Sequence, residues 1–350
     1  MLKKLMNEAF CTLRITTTGP LLIKSGHATV SGPDMTPVLT FRNGKQEVFI
    51  PGSSLKGVFR SHIEKIVCSL QPRVVCYPFE SNNDRQTDLK ERQRDYRDSC
   101  GGMFTQFAKK SDDNRRVLEE QTDLIYAASC PTCRLFGSTS FIGRLAISDA
   151  YLSPTTKEIK EQRDGVGIDR LTGGASHGAK FELEVVSTGV VFETDIHLRN
   201  FEIWQLGMLF VVLQDMEDGL IALGSGRSRG LGKITATLSD ISTTGRPGGF
   251  VTSTIRNSAE KPEQLWGLGR WLNNDSYGTW RDDYLTFERE ADQGERSERG
   301  IRTMRAFNGE SFNTLRNAAI NAFITRMQAW PQELMTVEAA QARNRKLLSR

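Results

Sequence analysis

The sequence predicts an α+β fold, because stretches with strand-like alternation and stretches with helical periodicity follow one another along the chain. Residues 9–18 alternate apolar and polar side chains and are rich in β-branched types, which predicts a strand. Residues 38–50 predict a hairpin that turns at Asn43-Gly44, a strong turn signal. Apolar residues at helical spacing over 55–70, and the apolar run of 201–217, predict two helices.

Further strands are predicted at 142–152, 180–198, 220–223 and 232–238. The resulting order of strand, hairpin, helix, strands, helix and strand suits a ferredoxin-like or RNA-recognition-motif-like core with long insertions. We expect this core within residues 1–241, with an insertion at about 76–133 and a hairpin at about 160–180.

The insertion and the C-terminal region are predicted to stand apart from the core. Residues 80–123 are highly charged and poor in apolar side chains, which predicts a solvated or partly disordered segment. Residues 242–262 are rich in Gly, Ser, Thr and Pro and predict a linker. We expect a C-terminal extension over 242–350, with an amphipathic helix between 312 and 330 and a basic tail from Arg343.

Composition narrows the class of protein. The 350 residues are 38% hydrophobic and 25% charged, so the chain can bury a core and wholesale disorder is excluded. The net charge of +4 is a weak indication of a nucleic-acid partner. No apolar run reaches the roughly 18 residues of a membrane span, and the first residues do not resemble a signal peptide. We therefore expect a cytoplasmic protein with no membrane contact, in which six cysteines serve as metal ligands or plain thiols.

The segment 51–60 predicts a phosphate-binding helix start. A tight turn leads into a helix that Ser53 or Ser54 can cap, and backbone N–H groups of a helix start bind anions. Lys56 and Arg60 are four residues apart and lie away from the apolar stripe. The alternative is an ordinary capped helix with a solvated cationic face. The spacing is not that of a P-loop.

The segment 223–233 predicts a second phosphate contact. Its glycines allow a ligand to approach the backbone closely, and its cations supply charge-assisted hydrogen bonds. The alternative is a glycine-rich hairpin with solvated arginines. The candidate RNA-binding residues of this segment are Arg227, Ser228, Arg229 and Lys233.

The segment 165–178 is glycine-rich and weakly apolar, which predicts a protruding hairpin. Such a hairpin can wedge between the bases of an RNA strand, and Ile168 and Arg170 are the candidate contacts. A mobile surface loop is the alternative from composition alone.

The cysteines predict a metal site. Cys130 and Cys133 have the spacing of half a zinc site. Two of Cys68, Cys76, Cys100 and His62 could supply the remaining ligands of a tetrahedral site. Cys76 and Cys100 flank the charged insertion, where a metal could hold a segment that has little core of its own. We therefore predict a structural Zn²⁺ bound by Cys76, Cys100, Cys130 and Cys133. The alternative is a half motif with scattered thiols.

The loop 26–37 contains two further candidates for chemistry, His27 and Asp34. Asp34 follows a proline and fits an ordinary turn, but a single carboxylate can also orient a ribose hydroxyl or a metal ion during RNA cleavage. His27 could act as a base, although a solvated loop histidine is the simpler interpretation. Only four histidines are present, which leaves few options for histidine-driven catalysis.

Four motifs occur in a fixed order along residues 8–240. They are Pro51-Gly52-Ser53-Ser54-Leu55-Lys56-Gly57, Cys130-Pro131-Thr132-Cys133-Arg134-Leu135-Phe136-Gly137, Ile168-Asp169-Arg170 with Thr172-Gly173-Gly174-Ala175, and Leu223-Gly224 with Ser228-Arg229-Gly230-Leu231-Gly232. Together they resemble signatures of the RAMP superfamily of CRISPR proteins, and most closely the backbone subunit of type III effector complexes. Residues 245–350 have no counterpart in the short backbone subunits.

The resemblance implies a palm that grips CRISPR RNA, and it identifies segment 165–178 with the thumb hairpin that intercalates in the guide–target duplex. It implies copies of the chain stacked along the guide, other subunits of the effector complex, and single-stranded target RNA as substrate. It places Asp34 where catalytic subunits carry the aspartate for cleavage, which needs Mg²⁺ or another divalent metal and proceeds by attack of the neighbouring 2′-hydroxyl. It also leaves two alternatives: a guide-binding scaffold without catalysis, and an endoribonuclease that processes precursor CRISPR RNA with His27.

Overall fold

The computed structural model describes residues 4–25, 32–78, 96–239, 248–255, 259–272 and 276–348, and His27 lies outside these ranges. The strands, in chain order, are β1 (Asn7–Thr17), β2 (Leu39–Arg42), β3 (Lys45–Val48), β4 (Gly137–Ser138), β5 (Phe141–Ile142), β6 (Leu145–Ile147), β7 (Tyr151–Leu152), β8 (Lys160–Ile168), β9 (Ala175–Val186), β10 (Val191–Arg199), β11 (Ile234–Leu238), β12 (Phe250–Ile255), β13 (Gln264–Trp266), β14 (Tyr284–Thr286), β15 (Glu295–Arg299) and β16 (Arg302–Phe307).

The helices, in chain order, are α1 (Gly52–Leu70), α2 (Cys100–Lys109), α3 (Asp112–Glu120), α4 (Thr122–Ala128), α5 (Pro131–Phe136), α6 (Ile203–Glu217), α7 (Leu268–Trp271), α8 (Gly309–Gln328) and α9 (Val337–Leu348). Among the helices described, none is long and apolar enough to cross a membrane. The predicted hairpin at 38–50 is confirmed as β2 and β3, which turn at Asn43 and Gly44, both with positive φ.

The main sheet is antiparallel and is built around β1. β10 pairs with one side of β1, and β6 pairs with the outer side of β10. On the other side, β11 pairs with the second half of β1 and β12 with its first half. The strand order β11-β1-β10-β6, with α1 and α6 as crossovers, is consistent with the ferredoxin-like topology predicted from the sequence.

The core lies between this sheet and a layer of helices. Every second residue of β1, from Ala9 through Ile15, is buried in that core, as the period of a strand requires. α6 is buried almost all round because α8 covers the side that faces away from the sheet. Gly207 makes this possible, since a Cβ at that position would lie 2.1 Å from the carbonyl oxygen of Ala319.

The interpretation of residues 242–262 as a linker is wrong for 250–255. This segment is β12, whose residues are almost all buried beside β1, and β16 and β15 extend the sheet further. Its threonines and serine are β-compatible residues that hydrogen-bond in the ladder, so a Ser/Thr-rich composition did not indicate a loop here. The boundary at residue 241 stays a prediction, but β12 and α8 pack directly onto elements that precede it.

The expectation of a solvated or partly disordered segment at 80–123 is wrong for α2, whereas α3 is largely exposed to solvent. Residues 100–128 form α2, α3 and α4, with Phe104, Phe107 and Leu124 buried in the main core. The hydroxyls of Ser99 and Ser111 cap α2 and α3 by accepting backbone N–H bonds, which stabilises these short helices. Residues 79–95 lie outside the described part of the chain.

Candidate nucleic-acid groove and cysteine centre

The start of α1 differs from the prediction. Pro51 is the N-cap residue and its side chain makes no cap hydrogen bond, so the prediction that Ser53 or Ser54 caps the helix is wrong. The Gly52 N–H instead donates to Oδ1 of Asp149 at 2.7 Å. A carboxylate thus already occupies the first N–H of the helix start, and its charge opposes a phosphate at that point.

No local sequence pattern predicts that Asp149 contacts the start of α1. It lies 97 residues after Gly52 along the chain and reaches the helix start only because β6 runs beside α1. Gly52 is required for this approach, since a Cβ there would lie 2.4 Å from the carbonyl oxygen of Ile147.

A groove of about 510 Å³ lies between α1 and the glycine-rich turn 223–233, and we name it the palm groove. From α1 its polar lining comprises Ser54, Ser61, His62 and Lys65. From the turn and the residues before it, the lining comprises Leu220 through Gly224 together with Arg227. The two segments that the sequence predicts to contact phosphate therefore face each other across one groove. The cations in its lining are Lys65 and Arg227.

The glycine-rich turn is shaped by glycines with positive φ. Gly224 and Gly232 have φ of +73° and +82°, and a Cβ on either would lie about 2 Å from a backbone oxygen, of Leu22 and Leu223 respectively. Residues Arg227–Arg229 form a short 3₁₀ turn whose three side chains are exposed. Lys233 is exposed as well.

Lys56 and Arg60 lie on a different face of α1 from the palm groove. The Arg60 guanidinium donates to Oε1 of Glu64 at 2.7 Å, to the carbonyl oxygen of Gly137 at 3.1 Å and to Sγ of Cys133 at 3.4 Å. Burial alone would lower its pKa, but charge interactions with the Cys133 sulfur and the Glu64 carboxylate hold the Arg60 pKa above its ordinary value. Burial and the nearby Arg60 lower the pKa of Lys56. Ser54 is thus the one member of the predicted helix-start set that lines the groove.

The cysteine centre consists of Cys76, Cys100, Cys130 and Cys133, the four residues selected from the sequence. All four are buried, and their Sγ atoms lie within 4.8 Å of one another. Cys76 follows the end of α1, Cys100 begins α2, and the other two belong to the start of α5. The centre therefore joins the insertion to α1 and α5. His62, considered as a ligand, instead pairs with Asp215.

The donor set fits a tetrahedral thiolate-binding metal. With metal–sulfur bonds of about 2.3 Å, the sulfurs of such a site are about 3.8 Å apart, and the Cys76 and Cys133 Sγ atoms are 3.4 Å apart. Backbone N–H groups of Cys130 and Cys133 donate to Sγ of Cys100 and Cys130 at 3.3 and 3.4 Å, and the Arg60 guanidinium donates to Cys133. Hydrogen bonds donated to the sulfurs in this way stabilise thiolates around a metal ion. These four cysteines could hold an ion such as zinc.

The hairpin of β8 and β9 protrudes from the sheet. From Leu171 to Gly178 every residue is exposed. Asp169 organises the tip, because its Oδ1 accepts the N–H groups of Leu171 and Thr172 at 2.7 and 2.9 Å, and these bonds lower the Asp169 pKa. Ile168 is 60% exposed and Leu171 97% exposed. The hairpin thus presents apolar side chains and the exposed Arg170 to solvent.

Asp34 is exposed and is attached to the base of this hairpin. Its Oδ2 accepts the N–H of Glu182 at 2.8 Å, and the next residue, Met35, makes two backbone hydrogen bonds with β9. A small apolar cluster of Leu22, Leu183, Val185 and Leu231, with Met35 and Phe181 packed on it, joins this loop to the hairpin and the glycine-rich turn. Arg229 stacks over the Phe181 ring at 5.3 Å. One cluster thus fixes three predicted functional segments relative to one another.

The fold and these surfaces define an antiparallel α+β protein with a cationic groove, a protruding apolar hairpin and a four-cysteine centre. The family model of the RAMP superfamily matches residues 14–235, which is more than half of the chain, so the protein belongs to the RAMP superfamily. Membership implies a CRISPR-associated, RNA-binding role, and proteins of this superfamily are often nucleases. No curated protein matches the chain closely enough to extend this assignment.

Proposed function

We propose that the protein is the CRISPR-RNA-binding backbone subunit of a type III effector complex and that it cleaves target RNA at Asp34. The observation that carries the proposal is the palm groove, in which Lys65 from α1 and Arg227 from the glycine-rich turn line one cavity. Ser54 and Ser61 line the same groove. This combination suits the phosphate backbone of single-stranded RNA, which is bound largely by electrostatic attraction.

The guide also has room to continue beyond the groove. Ser228, Arg229 and Lys233 extend the cationic surface along the exposed side of the turn, towards the base of the β8–β9 hairpin. Ile168 and Arg170 would contact the guide–target duplex at that hairpin. Ser53 and Lys56 would contact the guide outside the groove, whereas the hydrogen bonds of Arg60 tie it to the cysteine centre.

Asp34 is the residue proposed to act on target RNA. Its Oδ2 accepts the Glu182 N–H, and within the described part of the chain its Oδ1 has no hydrogen-bond partner, so this oxygen can meet a ligand. Among the described residues, the cysteines are the one group of three or more potential ligands close enough to hold an ion. A Mg²⁺ ion at Asp34 would therefore need phosphate oxygens of the RNA as further ligands, as Mg²⁺ commonly does. A divalent ion bound there would neutralise charge that develops on the phosphate as the 2′-oxygen attacks phosphorus. The bond to the 5′-oxygen of the next nucleotide then breaks, which leaves a 2′,3′-cyclic phosphate and releases a 5′-hydroxyl.

The cysteine centre is proposed to bind one structural Zn²⁺. A four-thiolate site leaves no open coordination position, so the ion would stabilise the insertion and take no part in chemistry. Buried thiolate sets also suit iron, which metal analysis distinguishes from zinc. The proposed partners are CRISPR RNA, target RNA, other subunits of the complex and further copies of this chain.

Two alternatives within the same family differ in their activity. A guide-binding scaffold would use the palm groove in the same way but would not depend on Asp34. A precursor-processing endoribonuclease would cleave repeat RNA as an isolated chain without metal, and His27→Ala would abolish that cleavage.

The groove is tested by measuring the salt dependence of RNA binding. Lys65→Ala and Arg227→Ala should each weaken affinity for single-stranded RNA of any sequence and reduce the slope of log affinity against log salt by about 0.7. Lys110→Ala is the matched control, because this exposed lysine directly after α2 is not part of the groove lining. Groove variants that bind like the Lys110 variant at every salt concentration would refute the proposal.

A further inference from the structure

A histidine of the palm groove lining, His62, pairs with an aspartate outside that lining and is not used by the proposed phosphate contacts. Nε2 of His62, on α1, lies 2.6 Å from Oδ2 of Asp215, on α6. Both side chains are about one quarter exposed, and His62 belongs to the groove lining. His62 is therefore open to a ligand in the groove, and its pairing with Asp215 joins two helices of the core.

The hydrogen bond to Asp215 determines which imidazole nitrogen can meet a ligand. A carboxylate accepts, so Nε2 carries the proton in this bond. This leaves Nδ1 as the second hydrogen-bonding atom of the ring. Asp215 thus acts as a positioning residue, which fixes both the orientation and the tautomer of His62.

The charge of the pair separates it from the phosphate contacts. Together, imidazole and carboxylate carry a net charge of zero when the ring is protonated and minus one when it is not, so the pair does not attract phosphate as Lys65 and Arg227 do. Its complement in a ligand is a neutral hydrogen-bonding group. In the nucleic-acid backbone, the neutral group that can both donate and accept is the ribose 2′-hydroxyl, which DNA lacks.

We infer that the His62–Asp215 pair binds a ribose 2′-hydroxyl and makes the palm groove selective for RNA over DNA. The inference rests on the proposed function, since it assumes that a nucleic-acid strand occupies this groove. It adds a specificity-determining residue, His62, to a groove whose cations by themselves would bind either kind of strand.

The test compares the affinities of the full-length protein for a single-stranded RNA and for the DNA of the same sequence. In the wild type RNA should bind more tightly. His62→Ala should weaken RNA binding about fivefold, the factor that one hydrogen bond of roughly 1 kcal/mol provides, and should leave DNA binding unchanged. Asp215→Ala should reduce the ratio of RNA to DNA affinity in the same direction. Glu217→Ala is the matched control, because this carboxylate of α6 pairs with Arg316 and is not part of the groove lining.

Changing the RNA instead of the protein provides a second test that does not depend on how well a variant folds. RNA with 2′-deoxyribose substituted at successive positions should lose affinity for the wild type at one or a few positions, and His62→Gln should alter that pattern if His62→Ala is unstable. Equal weakening of RNA and DNA binding in the His62 variants would indicate a base or phosphate contact and overturn the inference. An unchanged ratio would also overturn it. A wild type that binds neither strand would instead refute the proposed function itself.

Discussion

The cysteine centre and the Asp34 loop are the two places where the sequence predicts a metal ion, and the folded chain assembles them to different extents. The cysteine centre has four buried ligands, and protein N–H groups already donate to its sulfurs. Asp34 offers one exposed carboxylate with a single backbone partner. We therefore expect the cysteine centre to affect stability whether or not RNA is present, and Asp34 to bind a metal ion only when RNA supplies the missing ligands.

The largest effect is expected at the cysteine centre. Cys130→Ser removes one thiolate but keeps an oxygen that can accept the Cys133 N–H, as Sγ of Cys130 does at 3.4 Å. Because a structural metal contributes directly to folding, the free energy of unfolding should fall by about 4 kcal/mol or more. Denaturant unfolding and metal analysis by mass spectrometry measure this together, with one zinc per chain expected in the wild type.

The control for this change is Cys68→Ser, since Cys68 is a half-buried thiol of α1 outside the centre. It should change stability by less than about 1 kcal/mol and keep the metal. If both variants are equally stable and the wild type holds no metal, the centre is a cluster of packed thiols. The protein would then form a complete metal site neither there nor at Asp34.

The second effect is loss of target cleavage in Asp34→Asn. The amide oxygen can still accept the Glu182 N–H, so the loop should keep its position, while a neutral amide is a poor ligand for Mg²⁺. Cleavage by the assembled guide complex should fall about 100-fold or more, because the metal is expected to contribute several kcal/mol to transition-state stabilisation. Guide affinity and thermal stability should stay at wild-type values.

Asp164→Asn serves as the comparison, because Asp164 is an exposed carboxylate of β8 that pairs with Lys180. The guide complex that contains Asp164→Asn should cleave target RNA at the wild-type rate. Cleavage that persists in the assembled Asp34→Asn complex, or that needs no divalent ion in the wild type, would favour the scaffold alternative or a different catalytic residue.

Sequence reasoning identified the cysteine centre because thiol chemistry leaves few options, even though Cys76 and Cys133 are far apart in the chain. It also gave the order of the core elements and the β2–β3 hairpin, since periodicity and the Asn43-Gly44 turn are local signals. It could not predict that Asp149 occupies the helix start, or that Arg60 faces the cysteines, because both depend on how distant elements pack. The His62–Asp215 pair had no signal for the same reason: its residues meet only when α1 and α6 pack together.

The smallest effect is expected at the tip of the β8–β9 hairpin, where every residue from Leu171 to Gly178 is exposed. Leu171 is 97% exposed, so Leu171→Ser should leave the free energy of unfolding within about 0.5 kcal/mol of wild type. If the tip inserts between bases, part of this side chain becomes buried on binding, and its loss should weaken affinity for a guide–target duplex about fivefold. Ile301→Ser, at an exposed apolar residue between β15 and β16, should change neither quantity. Equal duplex affinities for the two variants would show that the hairpin stays solvated in the complex, and the exposed apolar residues at its tip would then need another explanation.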